Sequence, residues 1–201
     1  MIQTISKSVI NIFRNNNIIG ENEDNEIYAY GLELIISSFI NIISVLIISA
    51  IMGKFVETIA FFLAFIPIRT YAGGYHAKTH LMCFTILMAV YTIVLVLIFF
   101  IPENISNISI MGSSVCSFAM VAFFAPIEDI NKELTNTEKT RYKKISIIIV
   151  AIQFITLVLS LLFLSNNGIS LGFALGQLSA ALSLVAVKKI KIKGVKCYEN
   201  Y

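Results

Sequence analysis

The sequence predicts an all-α protein: a polytopic membrane bundle of about six transmembrane helices, preceded by an N-terminal amphipathic helix. Three observations carry that prediction. Of 201 residues, 57% are hydrophobic and only 13% charged, with a mean hydropathy of +0.84; a soluble domain is about half apolar and about a quarter charged. The apolar residues gather in six long stretches joined by short polar connections. Of the fifteen Lys and Arg residues, all but Lys54 fall in alternate connections. That is how basic residues distribute when their loops stay in the cytoplasm.

Residues 1–19 set Ile2, Ile5, Val9, Ile12 and Phe13 at helical spacing, with Lys7 and Arg14 among the polar positions. Such a helix lies in the plane of a membrane surface, and little soluble domain is present for it to pack against instead. Glu21–Glu26 (ENEDNE) has four acids in six positions and reads as a solvated linker. The apolar stretches then run at about 32–52, 55–68, 82–101, 108–127, 145–165 and 168–187. Five of them approach the ~20 residues that a helix needs to cross the hydrocarbon core. The second, Phe55–Ile68, is short, and only Gly53-Lys54 parts it from the first. It reads as a tilted span or as half of a re-entrant hairpin, since irregular backbone at membrane depth must be shielded by protein or face water.

The outer connections, Pro102–Asn107 and Asn166–Asn167, are too small to form a domain. The inner loop Glu128–Lys144 is longer and mixes four acids with five basic residues. It reads as a solvated connector or as an electrostatic landing site for a charged peptide. No internal repeat or composition break divides the chain. Residues 1–201 therefore read as one membrane-embedded domain: an interfacial segment and acidic linker over 1–30, the bundle over 31–187 and a basic tail over 188–201. With six crossings and a cytoplasmic N-terminus, Lys54 is the one basic residue left outside. That places the N-terminus, residues 69–81, 128–144 and the C-terminus on the cytoplasmic side. If Phe55–Ile68 were re-entrant, a second segment would also have to stop short, leaving four spans and two re-entrant pieces.

The same features exclude several function classes. The net charge of +3 is spread over loops flanking spans, so it is no footprint for nucleic acid. The first apolar run is interrupted by Lys7, Arg14 and the acidic patch, and no cleavable signal is expected. Cys83, Cys116 and Cys197 form neither a CxxC pair nor an even set, so neither structural disulfides nor zinc are expected. Nothing calls for a cofactor or a metal.

One polar stretch interrupts this hydrocarbon. Arg69–Cys83 (RTYAGGYHAKTHLMC) holds both histidines, one cysteine, a glycine pair, Arg69 and Lys78. A cysteine attacks as its thiolate, of which only a few per cent is present unaided at neutral pH. A neighbouring imidazole to take the proton, with positive charge nearby, supplies the help. Cys83 also opens the third apolar stretch, near a helix N-terminus whose dipole favours an anion. Cys116 reads as an inert cysteine deep in the fourth span, and Cys197 as a thiol of the basic tail. In one unbroken helix over 76–83, His76 and Cys83 would share a face but stand about 10.5 Å apart along the axis, beyond the reach of a base. His80, three residues before Cys83, would then be the histidine within reach. If Gly73-Gly74 bend the chain instead, His76 can fold back over the helix start. Arg69, after Pro67, is either an interfacial anchor or a group facing a substrate carboxylate or oxyanion. Spacing alone does not identify a third catalytic group. Glu128 and Asp129 lie on the same side, and Glu33 and Glu57 are acids at or within apolar stretches, where such residues are functional candidates.

The run Pro67-x-Arg69-x-x-x-Gly73-Gly74-x-His76-Ala77-x5-Cys83 resembles the signature of the accessory gene regulator B (AgrB) family, polytopic membrane cysteine endopeptidases of bacterial quorum sensing. The likeness extends to chain length, helix layout and the segment Pro126-Ile127-Glu128-Asp129 with basic residues after it. It implies a nucleophile at Cys83, a base at His76, and supporting roles for Arg69, Gly73 and Gly74 in binding substrate or stabilising the transition state. It further implies a bacterial cell-membrane location and a small AgrD-type precursor peptide as partner, cut at its C-terminal tail and cyclised to a thiolactone. The bilayer is the other expected partner, nucleic acid is not, and a homodimer is left open. Two other classes compete with this expectation. A small transporter would show broken helices with polar residues at the midplane, for which Gln153 and Gln177 are the candidates. A non-enzymatic membrane protein would be indifferent to the loss of Cys83.

Overall fold

The computed structural model of the chain describes residues 2–15, 25–74, 79–127, 134–163 and 167–192. The expectations for residues 21–24 of the acidic linker, for His76 and Lys78, for Glu128 and Asp129 and for Cys197 fall outside them, whereas Asn25 and Glu26 of that linker are helical. Among the described residues all regular structure is helical: α1 (Ile2–Asn15), α2 (Asn25–Ile51), α3 (Phe55–Ala72), α4 (His80–Phe100), α5 (Glu103–Phe124), α6 (Asn136–Phe163) and α7 (Asn167–Ile192). α2 to α7 each contain a window long and apolar enough to cross a membrane. The protein is a six-span membrane helix bundle.

α1 lies against the start of α2, burying Ile10 and Ser6, whose hydroxyl donates to the carbonyl of Ala29 at 3.0 Å. Ile12 and Phe13 on the same helix stay exposed. α2 ends in a Schellman turn. Gly53 takes φ 69°, its N–H donates to Ala50, and the N–H of Lys54 donates to Ser49. This closure turns the chain at once into α3.

The second apolar stretch is a full helix. α3 has 18 residues and continues through Pro67 to Ala72, a rise of about 27 Å, which matches the hydrocarbon core. The apolar stretch ends at Ile68, where Arg69 and Thr70 are polar. The helix goes on because Ile68 and Ala72 are fully buried against α7 and α5, where Ala181, Leu184 and Val121 pack. α6 also exceeds its apolar stretch. It begins at Asn136, so the basic residues from Lys139 to Lys144 lie on a helical extension rather than in a loop.

α3 and α7 form the axis of the bundle. Lipid tails are as apolar as leucine, so close packing rather than water exclusion must hold these helices together. Gly172 and Gly176 provide it: a Cβ on Gly172 would lie 2.5 Å from the carbonyl oxygen of Glu57, and one on Gly176 would meet that of Phe61. Ala180 continues the seam one turn on and is fully buried. Beside the seam, Gln153 donates to the carbonyl of Ala64 at 3.1 Å, Gln177 donates to Gln153 at 3.3 Å, and Ser114 donates to Gln177 at 2.7 Å. Four helices are thus linked by amide and hydroxyl groups with partners in place. The outward faces carry Phe39, Leu63, Ile93, Phe123 and Ile152, all exposed, as a lipid-facing surface requires.

Candidate active site

The antiparallel order brings the start of α2, the end of α3, the start of α4, and the ends of α5 and α7 to one end of the bundle. Tertiary hydrogen bonds confirm the grouping. Ile127, just beyond α5, donates its N–H to the carbonyl of Ala72 at 2.9 Å. Arg69 Nη1 reaches Gly73 O at 3.4 Å and Ser183 Oγ on α7 at 3.3 Å. The end of α3 is therefore fastened to α7 and to the residues just beyond α5.

Gly73 and Gly74 follow with φ 81° and 141°. Both values lie where L side chains rarely go. Space forbids substitution as well: a Cβ on Gly73 would run into the carbonyl of Ile127, and one on Gly74 into the Arg69 guanidinium and Ser183 Oγ. Thr79 is extended (φ −130°, ψ 151°) and caps α4, its hydroxyl accepting from Met82 N at 3.2 Å. Residues 76–83 are consequently not one continuous helix. The 10.5 Å axial separation calculated for His76 and Cys83 in such a helix does not apply.

Cys83 sits in the first turn of α4, its N–H donating to Thr79 O at 3.0 Å, and it is exposed. Its sulfur accepts from Nδ2 of Asn41 on α2 at 3.7 Å. His80 lies three residues earlier on the same turn, a spacing at which helical side chains are neighbours. Its Nε2 stands 3.2 Å from Glu33 Oε2. When Nε2–H donates to that carboxylate, Nδ1 is the acceptor nitrogen, the arrangement of a base oriented by an acid. Glu33, Ser37 and Asn41 are spaced four apart on α2, with Ser37 and Asn41 buried, so one polar stripe runs along the His80–Cys83 turn.

Of the residues singled out from sequence, the described ones fall into two groups. Arg69, Gly73 and Gly74 form one fastened turn, and Cys83 and His80 share the first turn of α4 with Glu33 and Asn41 of α2. Glu57 is at the other end of the bundle, paired with Lys54 at 3.1 Å. Cys116 is exposed on the flank of α5 rather than enclosed in the bundle. Sequence reasoning missed Asn41, although a carboxamide eight residues from a glutamate in an apolar helix is the signal that would have found it. No group of three or more His, Cys, Asp or Glu residues that could hold a metal ion occurs among the described residues.

Comparison with known proteins agrees with the motif. The family model for accessory gene regulator B matches residues 6–184. AgrB-like protein 2 of Clostridium perfringens (strain 13) is 28% identical over all of this chain and 99% of its own length. A second AgrB-like protein, from strain SM101, is 29% identical over the same shares. Accessory gene regulator protein B of Staphylococcus aureus (strain JH9) is 27% identical over 66% of this chain and 68% of its own. No solved structure matches.

Proposed function

We propose, since the chain belongs to the accessory gene regulator B family, that it is a membrane cysteine endopeptidase of quorum sensing. Its substrate is an AgrD-type precursor peptide. Cys83 attacks the carbonyl carbon at the junction with the C-terminal tail, forming an S–C bond as the carbonyl electron pair moves to oxygen. Collapse of this intermediate breaks the C–N bond, and an imidazole delivers the proton to the departing amine. The retained peptide stays on Cys83 as a thioester. A thiol within the peptide then gives its proton to the imidazole and attacks that thioester, forming the new S–C bond, breaking the bond to Cys83 and closing a thiolactone ring as the Cys83 thiolate leaves. Exchange of one thioester for another is nearly balanced, so a water-poor site at the membrane favours cyclisation over hydrolysis.

The observation that carries this reading is the setting of Cys83: an exposed thiol on the first turn of a helix, beside His80 and bonded to Asn41. Cys116, on the flank of α5, has no histidine within a helical turn of it in sequence. His76 is assigned as base, then acid, by its place in the family motif. His80 has an observation of its own in favour, the 3.2 Å contact with Glu33, and stands as the second assignment. Arg69, Gly73 and Gly74 are assigned to shape the turn and to present positive charge toward the substrate. The cytoplasmic side is assigned to this end of the bundle from the basic residues around it. Intact membrane crossings and bonded Gln153 and Gln177 weigh against a transporter.

Precursor processing tests the reading. In membranes bearing the protein, Cys83→Ala abolishes cleavage of the precursor, and full processing by that variant would refute the assignment.

A further inference from the structure

Asn41 is the polar residue of the site that neither the motif nor the composition brought forward. It is 5% exposed on a helix otherwise rich in Ile and Leu. An amide withdrawn from water costs a few kcal/mol unless it is hydrogen-bonded. Here Nδ2 is directed at the Sγ of Cys83, 3.7 Å away. A thiol is a weak acceptor, so this contact is feeble while the sulfur is protonated and strengthens when charge develops there. The carboxamide is the group placed to gain most when the reaction centre becomes negative.

We infer that Asn41 is the side-chain oxyanion donor of this site. The inference rests on the reading of Cys83 as nucleophile. Once Sγ has bonded to a carbonyl carbon, the former carbonyl oxygen lies one atom beyond that carbon, within a short swing of a donor already 3.7 Å from sulfur. The amide has two N–H groups, one for sulfur and one for this oxygen. A fixed amide dipole that is itself withdrawn from water stabilises such charge more than water-exposed groups do. Helix α2 holds the group firmly: Asn41 is buried on the bundle side, and Glu33, two turns earlier on the same stripe, is engaged with His80.

The test uses full-length protein in membranes, carrying Cys116→Ala and Cys197→Ala so that Cys83 is the remaining thiol. p-Nitrophenyl acetate acylates a thiol through a tetrahedral oxyanion, leaving an S-acetyl group and p-nitrophenolate. Iodoacetamide alkylates the same sulfur by displacing iodide and forms no oxyanion. Asn41→Leu keeps the branching of the side chain at Cγ and removes the donor. It is expected to slow acetylation about 100-fold while leaving alkylation within about threefold, and Asn41→Gln is expected to recover part of the acetylation. Acetylation of Asn41→Leu at the parental rate, or an equal fall in both reactions, would overturn the inference. Should Asn41→Leu fail to accumulate, Asn41→Ala is read in the same way. Parental protein acetylated no faster than free cysteine would instead overturn the nucleophile assignment, and the inference with it.

Discussion

Ile127 donates its backbone N–H to the carbonyl of Ala72 at 2.9 Å, joining the chain beyond α5 to the last turn of α3. Two segments that are separate in sequence, the glycine motif and the segment that begins at Pro126, are thereby one structure. Gly73 lies against the same residue, with the carbonyl of Ile127 where a Cβ would be. The contact fixes where the chain leaves α3 on its way to Cys83.

Replacement of either glycine should therefore disable the site without unfolding the bundle. Gly73→Val and Gly74→Val each combine a positive φ with a blocked Cβ position. Such strain costs roughly 1–3 kcal/mol per residue, enough to displace the turn. Both variants are expected to accumulate in the membrane and to lose most acyl-enzyme formation, measured with labelled precursor. Normal acyl-enzyme yield from Gly74→Val would mean that the bend does not position the chemistry.

The seam between α3 and α7 makes a prediction about stability. Gly176→Leu would drive a side chain into the backbone carbonyl of Phe61, and overpacking of this kind costs about 1–3 kcal/mol or more. Gly112, with nothing within 4 Å of its Cβ position, is the control. Thermal unfolding in detergent should show a clear drop for Gly176→Leu and little change for Gly112→Ala. Equal melting of the two would contradict the close approach.

The parts legible in the sequence were those written locally. Hydropathy marked the six spans, because a helix in lipid must be apolar over its own length. The end of α3 was not legible, since Arg69 and Thr70 look like a boundary and only the packing of Ile68 and Ala72 carries the helix past them. The basic run before residue 145 likewise looked like a loop, because charge excludes a residue from lipid without stopping a helix. At the site, Cys83 and the glycine bend could be named from residue type. Glu33 could be flagged as an acid in an apolar stretch, but its partner His80 is 47 residues away, and no spacing rule joins them. Asn41 could have been flagged as a carboxamide in an apolar helix, but its partner Cys83 is 42 residues away.

Sidedness follows from charge alone and can be checked directly. The basic residues predict that the end of the bundle bearing Cys83 faces the cytoplasm. A cysteine introduced at Asn104 is expected to react with an impermeant maleimide added to intact cells, and one at Asn136 only after lysis. Labelling in the opposite order would invert the assigned topology.

The two histidines give the sharpest contrast. Thr79 is the extended N-cap at which α4 begins, so the axial distance that a helix unbroken from 76 to 83 would impose does not decide between the histidines. With His76 as base, His76→Ala should slow acyl-enzyme formation by about 10²–10⁴-fold, whereas His80→Ala should reduce it only modestly. Glu33→Gln, which removes the carboxylate facing His80 at 3.2 Å, should then also have a small effect. If His80 is the base, the alanine phenotypes exchange, and Glu33→Gln joins His80→Ala among the impaired variants, because an imidazole without its acid loses its orientation. The measurement is thioester formation on Cys83 in all three variants, at matched levels in the membrane. Full thioester formation by His76→Ala, together with its loss in both His80→Ala and Glu33→Gln, would move the base from His76 to His80.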